Sequence, residues 1–448
     1  MTAPNPPVSA DGNAVPVKKN KMPKVAFASF MGTVIEFYDF NIFATASALV
    51  FAHAFFPALG TASGTVVSYA TLGIAFVARP IGAIFFGHFG DRLGRKRTLI
   101  VTMMIMGVAT IAIGLLPTAE TIGVLAPVLL VLLRIAQGFA AGGEYGGAAL
   151  FTSENAPKET RGYWAMFTNL GGSVANVLAL GTFLIVSFTV SDETFAAWVW
   201  RIPFLLSIFL VAVGLWIRLR IEETPVFAKE VNTYGTSRLP IAEAFKHQWK
   251  QILLAAGALV TAFSFGYMGV SYMTNYGTVS LGFSRQLVLA VGAIGAFVQG
   301  VAIISGGSLS DRIGRKKVLI IFSVIAVPWA LALFPILDTK NVGLYWAAIL
   351  LTFIIAGHGF GVAGSFLSEL FETRYRYTAT GLSYSLAGIV GGAVPPLLAA
   401  AIIPASGSFT FGVVLAAFCL VSLLCTLMLK ETRATSLDHG VVEAKQAA

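Results

Sequence analysis

GHFGDRLGRKR, Gly87–Arg97, returns 220 residues later as GSLSDRIGRKK, Gly307–Lys317. Asp91 and Asp311, Arg92 and Arg312, Gly94 and Gly314, and Arg95 and Arg315 hold matching places. Each copy follows a long apolar stretch and precedes another. Basic loops that recur between apolar segments mark a duplicated membrane protein, and they direct the search for function to the seam between the copies.

Composition supports that reading. Of 448 residues, 56% are hydrophobic and 11% charged, with a mean hydropathy of +0.80. A soluble globular chain carries about 25% charged residues, so that class is excluded. Abundant Gly and Phe suit helices packed closely in lipid. Residues 377–429 hold no charge. A bilayer takes about 20 apolar residues per helix, so this stretch should hold two spans, with Pro395-Pro396 and Pro404–Gly407 as its expected interruptions.

The net charge of +9 invites a nucleic-acid partner, but its distribution argues against one. With a cytoplasmic N-terminus, every Lys and Arg except Arg79, Arg134, Arg201, Arg285 and Lys340 falls in cytoplasmic tails, loops or helix ends. That asymmetry is the positive-inside bias, which orients the chain in the bilayer. Cys419 and Cys425 both fall in the last apolar segment, so no disulfide framework is implied. Ala44-Thr45-Ala46 mimics a signal-peptidase site. A secretory signal, however, would not carry Glu36 and Asp39 in its apolar region, so the first span is expected to be retained.

Apolar stretches bounded by charges or breakers predict twelve spans: 25–52, 64–87, 98–117, 123–151, 162–189, 197–219, 251–276, 286–308, 318–337, 342–368, 379–403 and 407–429. The polar stretch 220–250 separates six from six. The expected organisation is a cytoplasmic tail 1–24, a six-helix bundle 25–219, a cytoplasmic linker 220–250, a second bundle 251–429 and a tail 430–448. A second repeat supports the division: SENAPKETRG (Ser153–Gly162) follows span four, and SELFETRYRYTATG (Ser368–Gly381) follows span ten. Two bundles related by an axis along the membrane normal place a cavity between them.

The paired GDRLGRKR and SDRIGRKK loops resemble the signature loops of the major facilitator superfamily. GTVIEFYDF at 32–40, FVARPIGAIFFGHFGDR at 76–92, RIAQGFAAGGEYGGAA at 134–149, WRIPF at 200–204 and EETPVF at 222–227 resemble its metabolite–proton symporter branch. That branch includes shikimate, proline/betaine and oxoglutarate transporters. The resemblance covers nearly the whole chain outside the tails. It implies an all-α membrane protein of twelve transmembrane helices in two six-helix, pseudo-symmetric bundles, with both termini cytoplasmic. It also implies that spans 1, 2, 4, 5, 7, 8, 10 and 11 surround the cavity.

Ionisable groups at membrane depth cost roughly 2.5–3.5 kcal/mol on insertion scales, so each needs a partner or a wet cavity. Glu36 and Asp39, three residues apart, share a helical face. They lie roughly 16–21 Å from the cytoplasmic end of span one, and Arg134 reaches a similar depth from the other side. A carboxylate pair facing an Arg suits alternate binding of a proton and an anionic or zwitterionic substrate; a static ion pair joining spans one and four is the bland alternative. Arg79, beside Pro80, is either a substrate counter-ion or a structural partner for Glu36. Glu144, about 15 Å beyond Arg134 towards the cytoplasm, suits an inner gate better than the central site.

Polar stripes extend the candidates. Asn169, Ser173 and Asn176 follow helical spacing on span five, and Tyr267, Ser271 and Thr274 do so on span seven. Gln137 and Gln299 add further cavity candidates. His358 is the histidine well inside a span. Its ordinary titration near neutrality suits proton relay, although among Gly357, Gly359 and Gly361 it could simply bond a neighbouring helix.

In the repeated loops, Gly94 and Gly314 permit tight turns, and Arg92, Arg95, Arg312 and Arg315 can make forked bonds to carboxylates. Glu154 and Glu369, at the cytoplasmic ends of spans four and ten, are the natural acceptors. In the resembled family, the loop aspartate also engages a helix end across the bundles when the protein opens outward. That role carries onto Asp91 and Asp311. Ser310 replaces Gly90 in the second copy, so the two geometries need not match.

The function expected is proton-coupled symport of a small organic acid or zwitterion by alternating access in the bacterial cytoplasmic membrane, by a monomer. The alternative is an uncoupled facilitator or a proton-antiporting exporter of the same fold. No nucleotide-binding, metalloprotease or nucleophile-elbow motif appears, so an enzyme is not expected. The proton is the sole coupling ion anticipated, with no metal or organic cofactor.

Overall fold

The computed structural model describes residues 22–93, 95–220, 240–372, 376–435 and 437; for residues 61, 87–93, 95–99, 217–220 and 240–247 it describes the backbone alone. The N-terminal half runs α1 (Met22–Leu49), α2 (Gly60–Leu93), α3 (Arg95–Leu115), α4 (Leu125–Ala141, resumed at Tyr145–Asn155), α5 (Arg161–Ser187) and α6 (Ile202–Arg220). The C-terminal half repeats the series. It runs α7 (Pro240–Tyr267, extended to Ser280), α8 (Arg285–Ile313), α9 (Arg315–Leu337), α10 (Val342–Leu370), α11 (Arg376–Ala387, extended to Ser406) and α12 (Ser408–Met428).

Backbone N–H and C=O groups have no water to bond in a bilayer, so an apolar chain satisfies them within helices. Ten described segments are long and apolar enough to cross. The remaining two are α1, whose apolar run is diluted by Glu36, Asp39 and Asn41, and α3, whose described apolar part is Ile100–Leu115. Large apolar side chains such as Leu132, Phe209, Val213, Phe297, Val301 and Leu424 stay exposed on the outer faces, which is the surface that lipid covers.

Between the bundles, α5 packs on α8 and α11 on α2, while α1 meets the outer part of α7 and the end of α4 meets α10 and α11. The repeat relates α5 to α11 and α2 to α8, so these contacts exchange under the pseudo-twofold axis. Glycine lets helices approach backbone to backbone within a bundle. A Cβ at Gly138 of α4 would stand 2.2 Å from the Ala75 carbonyl oxygen, and one at Gly142 would stand 2.0 Å from that of Arg79.

The structure departs from the expected spans in four places. Span four is not continuous: α4 breaks at residues 142–144. Residues from Pro240 onwards, expected within the linker, are helical and join α7 at a kink where Gln248 has φ −129° and ψ 20°. Pro395-Pro396 does not interrupt α11. The π-helical stretch Gly388–Ala393 lies just before the prolines and takes up the irregularity, whereas the interruption expected at Pro404–Gly407 is present, the chain turning at Gly407, φ +85°. Finally, α7 passes through two π turns, Met268–Tyr272 and Tyr276–Ser280.

Candidate functional site

The close fit of α2 against α4 sets the buried charges. Arg79 Nη2 pairs with Glu36 Oε1 at 3.5 Å, both side chains being buried. Arg134 instead donates from Nη1 to Gln137 Oε1 at 2.9 Å. Gln137 Nε2 donates to Thr110 Oγ1 at 2.6 Å, and Thr110 in turn to the Met106 carbonyl at 2.9 Å. The two guanidinium groups share an aromatic neighbour. Arg79 lies 4.1 Å from the Phe40 ring centroid and Arg134 4.5 Å from it, and Arg134 also lies 3.9 Å from that of Phe43. A desolvated cation–π contact is worth about 2 kcal/mol, which offsets part of the cost of burying these charges.

This arrangement corrects the picture of one carboxylate pair facing one arginine. Glu36 pairs with Arg79. Among the described residues, Arg134 and Asp39 form no ion pair within 4 Å, because Gln137 and the aromatic rings occupy the arginine's flanks. Asp39, beside Thr110, keeps a buried Oδ2 without a hydrogen-bond partner. Arg79 Nε, Arg134 Nε and Nη2, and the Tyr267 hydroxyl are also buried without one. An unsatisfied buried polar atom costs about 1–3 kcal/mol, so these open donors and the open Asp39 oxygen make this cluster the candidate site.

Tyr267 links that cluster to a cavity between the bundles, lined by Thr33, Phe37, Asn41, Asn169, Ser173, Asn176, Val270, Gln299, Phe360 and Tyr384 among others. Its void is about 40 Å³, enough for water and too small for a metabolite, so the bundles are drawn together around the site. Asn169, Asn176, Tyr267 and Gln299 all reach this wall, as does Ser173. Ser271 and Thr274 of the span-seven stripe are absent from it, because the π turn at Met268–Tyr272 shifts the helix face and brings Val270 round instead.

Two other candidates lie elsewhere. His358 stacks on Phe322 at 3.7 Å and bonds Ser305 Oγ (3.0 Å) and the Ile354 carbonyl (2.8 Å), within the C-terminal bundle. The glycines around it bring α8 close, so it is fixed among α8, α9 and α10 and does not line the cavity. Glu144 closes the break in α4 and accepts a bond from Thr102 of α3 at 3.0 Å, inside the N-terminal bundle.

On the cytoplasmic side, charged residues tie the bundles together. Arg161 Nη1 donates to Glu369 Oε1 at 3.1 Å, and Arg376 Nη1 pairs with Glu154 Oε1 at 3.4 Å. Each Glu precedes its own half's Arg by the same seven positions, so the halves exchange partners reciprocally. Arg315 forks onto Glu369, with Nε to Oε2 and Nη2 to Oε1 both at 3.1 Å, and its Nη1 reaches Asp311 at 2.7 Å. Asp311 accepts from the N–H groups of Gly162 and Tyr163, both at 2.8 Å, at the start of α5. Arg312 is exposed; the carboxylate contacts expected of it are made by Arg315, and its carbonyl accepts from Arg433 at 2.6 Å. The chain after α12 joins this layer: Thr432 donates to Glu369 (2.9 Å), and Glu431 accepts from the N–H groups of Arg315 and Lys316. The side chains of Asp91, Arg92 and Arg95, and all of Gly94, lie outside the described residues.

Deeper, Tyr145 and Tyr384 stack with centroids 3.3 Å apart, and Asn169 bonds both hydroxyls at 3.1 Å, which floors the cavity. On the outer side, Asn275 Nδ2 donates to the Ala48 carbonyl at 2.8 Å, joining α7 to α1. Contacts between the bundles thus lie on both the inner and the outer side of the cavity. Sequence reasoning missed Asn41, Tyr145, Tyr384, Arg161 and Arg376. For the two arginines, the equal Glu-to-Arg spacing in the repeated loops was an available signal.

Two halves of six helices, a cavity between them and signature loops at the inner ends constitute one architecture, and the Major Facilitator Superfamily family model matches residues 29–395. The chain belongs to that superfamily. It is 40% identical over 423 residues to the inner membrane metabolite transport protein YhjE of Escherichia coli, a match covering 93% of this chain and 96% of that one. It is 37% identical over 418 residues to the shikimate transporter of Escherichia coli, covering 92% and 95%. It is 30% identical over 449 residues to the Escherichia coli proline/betaine transporter, covering 96% and 89%. The partially occluded inward-open xylose transporter XylE from Escherichia coli superposes with a TM-score of 0.72 at 14% identity, covering 93% and 99%, a likeness of fold alone. This facilitator-superfamily chain is a secondary transporter of the bacterial inner membrane and not an enzyme.

Proposed function

We propose that the transporter moves a small carboxylate-bearing metabolite together with a proton. The observation that carries the proposal is the set of open buried atoms beside the cavity: the unpartnered Asp39 Oδ2 on one side, and the unpartnered nitrogens of Arg79 and Arg134 with the Tyr267 hydroxyl on the other. Donors supplied by two arginines and a tyrosine suit a carboxylate, which accepts forked bonds from guanidinium groups. The amide and hydroxyl groups of Asn41, Asn169, Asn176, Gln299 and Ser173 supply neutral contacts for the rest of the molecule.

Coupling follows from charge. Binding an anion at Arg134 withdraws positive charge from the field of Asp39, and a proton taken up by Asp39 Oδ2 restores the balance. The loaded site then crosses the occluded state without an uncompensated buried charge, which would be costly in a medium of low dielectric. Glu36 is already paired with Arg79 and is not the carboxylate this exchange uses. The shikimate, proline/betaine and metabolite transporters among its relatives make a shikimate-like hydroxy acid the first substrate to try.

The test is uptake of radiolabelled shikimate by proteoliposomes, with and without an inwardly directed proton gradient. Accumulation above equilibrium that a protonophore abolishes is expected. Uptake that only equilibrates, whatever the gradient, would refute coupling in favour of a facilitator.

A further inference from the structure

We propose that Arg285 is the outer latch of the transport cycle, opposing Asp311 from the other end of the same helix. The inference requires only that the bundles rock about the cavity, and it stands whether or not a proton is coupled.

Helix α8 belongs to the C-terminal bundle and lies along α5 of the N-terminal bundle. Its inner end offers Asp311 to the first N–H groups of α5. Its outer end offers Arg285 to the last residue of α5. There, Nε donates to Ser187 Oγ and Nη2 to the Ser187 carbonyl at 3.5 Å, while the neighbouring Gln286 Nε2 donates to the same carbonyl at 3.2 Å. Arg285 Nη1 also pairs with Asp192, and its guanidinium lies 3.9 Å from the Phe195 ring centroid, both on the short outer helix Asp192–Ala197. The arginine side chain is 8% exposed although its partner Asp192 is 82% exposed, so the bundle interface, not solvent, surrounds the cation.

The signs of the two charges are not interchangeable. A helix carries about half a positive charge at its N-terminus and half a negative charge at its C-terminus. An acid therefore grips the inner, N-terminal end of α5, and a base grips its outer, C-terminal end. Between them α5 and α8 meet through small groups, Ser173 Oγ donating to the Ala296 carbonyl at 2.6 Å, with no ion pair along the shared length among the described residues. The charged holds sit at the two ends, which are the parts that separate when the bundles rock. Opening outwards must break the Arg285 contacts and can keep those of Asp311; opening inwards must do the reverse. The repeat provides an aspartate at both inner ends, Asp91 and Asp311. Counting back from them, however, the place matching Arg285 is Thr65. The outer hold is therefore a charge the duplication does not repeat.

The test uses the full chain without its native cysteines (C419A, C425A) and with Val270→Cys as a reporter on the cavity wall. A membrane-impermeant maleimide is applied to right-side-out and to inside-out vesicles. Arg285→Ala should speed labelling from outside by roughly 5–30-fold, the shift expected from losing a contact of this strength in a two-state equilibrium, and should slow it from inside. Asp192→Asn, a change at an exposed position, should move both rates the same way by less, and Arg285→Lys, which keeps the charge but not the three-nitrogen fork, should fall between Arg285→Ala and wild type. Asp311→Asn should do the opposite of Arg285→Ala. Unchanged outer labelling in both Arg285→Ala and Asp192→Asn would overturn the proposal, as would a rise from both sides, which would report a loosened structure and not a directional latch.

Discussion

Arg134 shows how little a buried charge depends on an opposite charge at contact distance. A side-chain amide, two phenylalanine rings and the surrounding field hold it. The open nitrogens that result are the donors on which the proposed carboxylate site rests. This arrangement depends on α2 and α4 touching, and hence on glycine. Gly142→Ala would place a methyl about 2.0 Å from the Arg79 carbonyl oxygen, where only backbone movement relieves the clash. Overpacking of this kind costs about 1–3 kcal/mol, so the variant should melt several degrees lower in detergent and lose transport in proportion. An unchanged melting temperature would show that the two helices are not held this closely. The buried charges and the polar face of α5 were legible in the sequence, because charge at membrane depth is rare and helical spacing is regular. Which arginine serves which carboxylate was not. Glu36 and Asp39 share a face, and partner choice is set by the rotation and depth of α2 and α4, which no spacing encodes.

At the scale of elements, the repeat was the strongest guide, and it fails where a helix leaves the α geometry. The span-seven stripe assumed 3.6 residues per turn throughout, and the π turns at Met268–Tyr272 and Tyr276–Ser280 break that assumption. The inner gate obeys the repeat closely. Glu154 with Arg376 and Glu369 with Arg161 form a reciprocal exchange between bundles, and the forked Arg315 of the C-terminal bundle's own loop adds a cation at Glu369. Glu154 is half exposed while the Arg376 side chain is buried, so exchanging the two charges keeps an opposite charge facing the buried position. Glu154→Arg alone should impair inner closure and raise labelling of a cavity cysteine from the cytoplasmic side; adding Arg376→Glu should return it towards wild type. A double variant as impaired as the single would mean that these residues do not act as a pair.

For the whole molecule, the features combine into a transporter with a narrow central void of about 40 Å³, an inner layer of ion pairs and stacked tyrosines, and an outer layer built on α8 and α7. In the proposed cycle the bundles rock about the cavity to carry the substrate, and the charge state of the site governs that movement. If Asp39 takes the coupling proton, a neutral isostere there mimics the protonated form permanently. The substrate could then exchange across the membrane yet not be driven. The decisive measurement compares wild type and Asp39→Asn in proteoliposomes for two activities: substrate counterflow without a gradient, and accumulation driven by an imposed proton gradient. Retained counterflow with lost accumulation in Asp39→Asn is expected. Gradient-driven accumulation by Asp39→Asn at wild-type level would contradict the role given to this carboxylate.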